Sequence, residues 1–202
     1  NHCSIEHEWF QKALAGDSYY QDFFILRDEP TDWLSKFGGS AWAPFGDTGK
    51  YYLHLFDITQ ADLNWRNPNV RQELFKVVNF WRDKGVKGFR FDVINLIGKD
   101  EVLEDCPEND GKPAYTDKPI VHDYLRMMNE ATFGQDDSFM TVGEMSATTI
   151  ENCILYTAPD RQELSMAFNF HHLKVDYEAG QKWTLKAFDF EELKRLFHTW
   201  GK

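Results

Sequence analysis

Behind Asn67-Pro68, an N-cap residue followed by a proline suited to the first helical turn, Val70, Leu74, Val77 and Trp81 recur at helical spacing, and Gly85 supplies the stop. Residues 87–93 (KGFRFDV) then form a short strand. Helical spacing returns over about 120–133, with Val121, Leu125 and Met128 on one face, after a charged, turn-rich loop at 100–119. A second strand follows at 139–144 (FMTVGE), a short helix at 149–156, and a third strand at 163–170 (ELSMAFNF). The last helix starts at Asp189, with Glu192 in the capping-box position, and is expected to bury Leu193, Leu196, Phe197 and Trp200. Helices alternating with strands mean parallel strands joined by helical crossovers, an α/β architecture. Residues 1–66 differ. They are aromatic-rich and punctuated by Pro30, Gly38-Gly39, Pro44-Phe45-Gly46 and Gly49, with one helical stretch at 6–14 and one strand at 51–56. Two regions are therefore expected, an irregular one over 1–66 and an α/β one over 67–202.

Charge narrows the partners. The 202 residues hold 22 Lys and Arg against 33 Asp and Glu, a net of −11, so no basic stripe exists for nucleic-acid phosphates or an anionic membrane. With 42% hydrophobic and 16% aromatic residues the chain can bury a core. No apolar run reaches a membrane span. Cys3, Cys106 and Cys153 are odd in number and widely spaced, which fits reduced thiols and a cytoplasmic setting. No C-x-x-C pair, nucleotide loop or H-E-x-x-H pattern occurs, and no cofactor or metal is expected; Glu108-Asn109-Asp110-Gly111 is a turn rather than a calcium loop.

In a parallel α/β sheet, functional residues gather at the carboxyl ends of the strands. The first end carries Arg90 and Asp92, two apart and so on one face. A cation there favours the ionised carboxylate, which suits a nucleophile. The second ends in Glu144, which follows apolar Met140 and Val142 on its own face and has no cation near it in sequence; desolvation would favour the neutral acid, suiting a proton donor. Two such carboxyls on neighbouring strands are what a retaining glycosidase needs. A structural ion pair and a solvated glutamate would leave the same letters. The third end carries His171-His172, which alone are as well explained by loop surface or a satisfied core.

Gly88-Phe89-Arg90-Phe91-Asp92 resembles the fourth-strand motif of the α-amylase family of glycoside hydrolases, Val142-Gly143-Glu144 the fifth-strand motif, and Asn1-His2 the end of the third-strand motif. Ala61-Asp62-Leu63-Asn64-Trp65 with Asn67-Pro68-Asn69-Val70-Arg71 is similar to the stretch that joins the family's inserted subdomain to its barrel. The resemblance spans essentially the whole chain. It implies a partial (β/α)8 TIM barrel: the tail of the third unit, the inserted subdomain, and strands four to six. It also implies Asp92 as nucleophile, Glu144 as general acid/base, Arg90 as the group holding Asp92 ionised, and His2 as a donor to the sugar ring.

Within the family, Ser165 through Tyr177 (SMAFNFHHLKVDY) and Gln181-Lys182-Trp183-Thr184-Leu185 resemble the α-glucosidase branch, most closely the members that cleave trehalose 6-phosphate to glucose and glucose 6-phosphate. Val93 is what the branch shows where α-1,4 links are not preferred. The partner implied is a phosphorylated disaccharide, whose phosphate would meet His171, His172 and Lys174; oligo-1,6-glucosidase and dextran glucosidase types remain the alternative. Strands one, two, seven and eight, and with strand seven the family's third carboxylate, have no counterpart among these residues. The chain is thus expected to be the central piece of a longer enzyme, inactive by itself, and able to self-associate through open sheet edges. A sugar-binding module on the same fold is a weaker option.

Overall fold

The computed structural model describes residues 1–178 and 181–201; Lys202, the last residue of the second expected region, lies outside them. The central feature is a three-stranded parallel sheet of β6 (Gly88–Phe91), β7 (Met140–Glu144) and β8 (Met166–Phe168), in that spatial order. Helix α4 (Ile120–Ala131) connects the first pair and α5 (Ile150–Thr157) the second, as the alternation predicts. β6 and β8 are shorter than expected. Residue 163 illustrates why: Glu163 is fully buried among His122, Arg126 and Arg161 and belongs to an ion cluster, not a ladder.

The two faces of this sheet differ. Phe89 and Phe91 turn to one side, where they pack with Phe133 and Phe139 against the buried Val121, Tyr124, Leu125 and Met128 of α4. Burial of these rings drives the packing, each large apolar side chain contributing about 2–3 kcal/mol. Arg90 and Asp92 project from the opposite face. Close approach of the strands requires glycine: a Cβ on Gly88 would stand 2.8 Å from the Met140 carbonyl oxygen.

Helix α3 (Pro68–Asp83) starts as predicted, with Asn67 accepting from the Asn69 amide and Gly85 at φ +94° behind it. Its buried face is the predicted one only in part: Leu74 packs against the core as expected. Val70 and Val78 are buried, whereas Val77 and Trp81 are about half exposed. The helix carries apolar residues on two sides, and spacing cannot tell which one finds a partner. The final helix, α6 (Phe190–Trp200), is capped by Asp189 accepting from the Glu192 amide. Its expected buried face is also corrected: none of its residues is buried, and Phe197 is 60% exposed. Among the described residues, that face meets chiefly the single-turn segment His171–Val175, whose rings stack on Trp200 and Phe197.

Residues 1–66 contain more order than their composition suggests. Helices α1 (Glu8–Leu14) and α2 (Ser18–Gln21) pack together, and β2 (Leu26–Arg27), β4 (Tyr51–Leu53) and β3 (Trp42–Pro44) form a small antiparallel sheet. β1 (His2–Ser4) pairs antiparallel with β5 (Gln60–Asp62), setting His2 opposite Asp62. An antiparallel pairing of β9 (Tyr177–Glu178) with β10 (Gln181–Leu185) was not evident from the pattern. A second core of Trp33, Trp42, Leu53 and Leu55 takes in Val93, Leu96 and Tyr115, and so joins the first region to the loop behind Asp92. That joint is tight: a Cβ on Gly111 would lie 2.3 Å from the Trp33 ring.

Candidate active site

Register assembles the site. Phe91 pairs with Gly143, so one step further along each strand comes a carboxylate, Asp92 from one and Glu144 from the other. Adjacent strands run about 4.8 Å apart, and side chains at matched positions share a face. Glycine at 143 leaves room for neighbouring side chains, since a Cβ there would press the tips of Leu164 at 2.6 Å and Met145 at 2.7 Å. Immediately after Asp92, Val93 adopts the left-handed conformation (φ 38°, ψ 45°). For a β-branched residue this costs about 1–3 kcal/mol, and such strain is found where a function holds the backbone in place.

Arg90 ties the pair together. One terminal nitrogen of its guanidinium contacts Asp92 and the other contacts Glu144. Its guanidinium carbon also lies 5.9 Å from the centre of the Phe168 ring, the register partner of Glu144 on β8. No cation lies near Glu144 in sequence; its cation comes from the neighbouring strand. The two carboxylates differ sharply in exposure, with the Asp92 side chain 51% exposed and the Glu144 side chain 10%. One is open to an incoming molecule; the other is sheltered.

His2 lies at the edge of this region. The Gln60 amide nitrogen is 2.9 Å from its Nε2, and because an amide NH2 only donates, Nε2 accepts and Nδ1 carries the proton. Nδ1 is buried and has no hydrogen-bond partner among the described residues. Burial holds the imidazole below its ordinary titration range, while the charges of Asp62 and Asp92 work in the other direction. Beneath it, the buried Lys99 ammonium meets Asp62 at 2.7 Å. Asp62 also accepts from the Leu55 amide, and Lys99 donates to the Leu96 carbonyl. Asp62 stands in the connector motif, but nothing in the spacing marks Lys99 as its partner.

His171, His172 and Lys174 lie in the turn after β8, at the same end of the sheet. The structure uses the two rings locally. His171 donates through Nε2 to the Thr148 carbonyl at 2.8 Å and stacks on Trp200, and His172 stacks on Phe197. Burial lowers the His171 titration range, with Lys174 and His172 adding to that effect against the Thr148 hydrogen bond. Lys174 is exposed, and its charge reaches Lys36, whose ammonium is pushed down to about 8 by burial and then by Lys112 and Lys174. Spacing did not signal that lysine grouping, because its members come from three separate segments of the chain. A cleft of about 540 Å3 between residues 21–27 and 97–103 contains none of the predicted site residues.

The family model for the α-amylase catalytic domain matches residues 1–202. The chain belongs to the α-amylase family. That catalytic domain is a TIM-barrel fold, and the parallel sheet with its carboxylates at the strand ends accords with it. The chain is 54% identical to the trehalose-6-phosphate hydrolase of Bacillus subtilis (strain 168) and 52% identical to that of Escherichia coli (strain K12), covering 99% of this chain and 37% of each relative. It is 43% identical to the oligo-1,6-glucosidase of Parageobacillus thermoglucosidasius. The crystal structure of Bacillus licheniformis trehalose-6-phosphate hydrolase superposes with a TM-score of 0.93 at 52% identity, over 99% of this chain and 37% of that one. The chain therefore spans a little over a third of the length of these α-amylase-family relatives.

Proposed function

We propose that the protein carrying these residues is a retaining α-glucosidase that hydrolyses trehalose 6-phosphate, and that residues 88–175 contribute its nucleophile, its acid/base group and part of its phosphate contact. The bridging of Asp92 and Glu144 by one guanidinium carries the reading, because it brings both carboxylates to one place at the ends of adjacent parallel strands. Retaining chemistry asks for carboxyls about 5 Å apart. In this mechanism Arg90 orients both groups. The more open Asp92 attacks the anomeric carbon as Glu144 protonates the departing glucose 6-phosphate; Glu144 then takes a proton from water, which releases glucose and frees Asp92. His2, at the edge of the site, makes the contact with the sugar ring.

Lys174 supplies charge for the phosphate. The rings of His171 and His172 are engaged elsewhere and act as supports. Lys36 and Lys112 add to the positive potential, and the buried Lys36 ammonium, held down by burial and by Lys112 and Lys174, is relieved when a dianion approaches. In family terms the chain contributes the tail of the third barrel unit and strands four to six.

The test compares trehalose 6-phosphate with p-nitrophenyl α-glucoside in the natural gene product. Asp92→Asn and Glu144→Gln should each lower kcat on trehalose 6-phosphate by about 1,000-fold or more. Lys174→Ala should raise KM for the phosphorylated substrate by about tenfold, one charge-assisted contact, and leave the plain glucoside within about twofold. Wild-type-like rates in either carboxylate variant would refute the mechanism, and equal losses on both substrates in Lys174→Ala would refute the phosphate assignment.

A further inference from the structure

Asn95 is completely buried three residues beyond Asp92, in the short helical turn Ile94–Leu96. Its side-chain amide is saturated. Nδ2 donates to the Ser146 carbonyl at 2.8 Å and to Asp117 Oδ1 at 2.9 Å, and Oδ1 accepts from the Ser146 amide at 2.9 Å. Ser146 stands two residues beyond Glu144. The amide thus exchanges two hydrogen bonds with one residue of the neighbouring loop, as a strand residue would, across a gap where β6 and β7 have already ended.

Asp117 fixes the orientation of that amide. Its carboxylate accepts from Asn95, from Asn152 at 2.9 Å and from the Tyr156 hydroxyl at 3.1 Å, and its own amide donates to the Asn95 carbonyl at 3.1 Å. Asn152 and Tyr156 belong to α5, the helix that follows the Glu144 loop. The cluster therefore ties together the segment behind Asp92, the segment behind Glu144, and the next helix. A carboxylate-anchored amide satisfied at every atom is rigid, because breaking any one bond leaves a buried polar group unpaired.

We propose that Asn95 is a positioning residue which sets the Glu144 loop against the Asp92 loop, so that its amide governs proton donation by Glu144. This rests on the hydrolase reading given above. Arg90 restrains both carboxylates and the left-handed Val93 adds a restraint behind Asp92 alone, whereas the backbone at Ser146, behind Glu144, is held by Asn95. Loss of the amide therefore affects the acid more than the nucleophile.

The experiment separates the two by leaving group. The kcat/KM of the natural gene product is measured on trehalose 6-phosphate, whose leaving oxygen needs a proton, and on α-glucosyl fluoride, whose fluoride departs without one. At a temperature well below its melting point, Asn95→Ala should lose about 100-fold on trehalose 6-phosphate, the scale of a misplacement of roughly 1 Å, and less than about fivefold on the fluoride. Parallel losses on both substrates, or no loss on either, would overturn the assignment. Should Asn95→Ala fail to fold, Asp117→Asn keeps size and shape while weakening the anchor, and it should show the same bias with a smaller amplitude; its absence would count equally against the inference. A wild-type protein inert on both substrates overturns the hydrolase reading and the inference with it.

Discussion

Lys99→Met removes an ammonium group while keeping most of its stem, and it leaves the Asp62 carboxylate in place. Both side chains are sealed from solvent, at 4% and 0% exposure, with 2.7 Å between the charges. At an effective dielectric near 20, two unit charges at that distance attract by roughly 6 kcal/mol. Desolvation of the two ions offsets much of this, so the pair adds little net stability compared with a neutral pair of the same shape. Breaking it is another matter. Among the described residues the orphaned carboxylate retains only the Leu55 amide as a donor, and the expected loss is about 3–5 kcal/mol. Asp62→Asn combined with Lys99→Met removes the stranded charge while an amide oxygen can still accept from Leu55, so the double variant should recover at least about half of the loss. Equilibrium unfolding of the natural gene product in urea, followed by circular dichroism, measures both. The functional consequence runs through His2, the register partner of Asp62: KM of Lys99→Met should rise even at low denaturant where the protein is folded. A single variant within about 1 kcal/mol of wild type, or a double variant no better than the single, would refute the reasoning.

Two further outcomes follow from the same geometry. Gly143→Ala places a methyl group 2.6 Å from Leu164, 2.7 Å from Met145 and 3.1 Å from Ile94; overpacking of this kind costs about 1–3 kcal/mol, and because the next residue is Glu144, kcat should fall more than the loss of stability explains. Unchanged kcat would show that β7 absorbs the strain elsewhere. His2 titrates below its ordinary value of 6.5 because it is buried, so its contribution to stability is complete above that value and is lost as pH falls through the lower folded value. Urea midpoints should therefore drop between pH 7.5 and 5.5 by more in wild type than in His2→Asn, and identical slopes would rule this out.

The linear order of residues was enough to place the α/β alternation, the parallel sheet and both carboxylates at strand ends. It also located the starts of three helices, at Asn67, Thr149 and Asp189, each of which accepts the amide expected of a cap. These features are local: a cap acts over three residues, and a strand places residues 90 and 92 on one face whatever surrounds it. Contacts between distant segments were not legible. Spacing left Glu144 without a cation, and the fold supplied Arg90 from the next strand. The family resemblance offered His171 and His172 as phosphate contacts, and the fold turned their rings to Thr148, Trp200 and Phe197. Of the α3 stripe, Val70 and Leu74 meet the core while Val77 and Trp81 stand about half exposed, because apolar residues lie on two sides and only packing could discriminate between them. Asn95, an unremarkable amide in the chain, became the link between two loops because residues 51 positions apart meet there. Chemistry at strand ends follows from periodicity, whereas the pairing of charges and amides depends on which strands become neighbours, and only tertiary structure settles that.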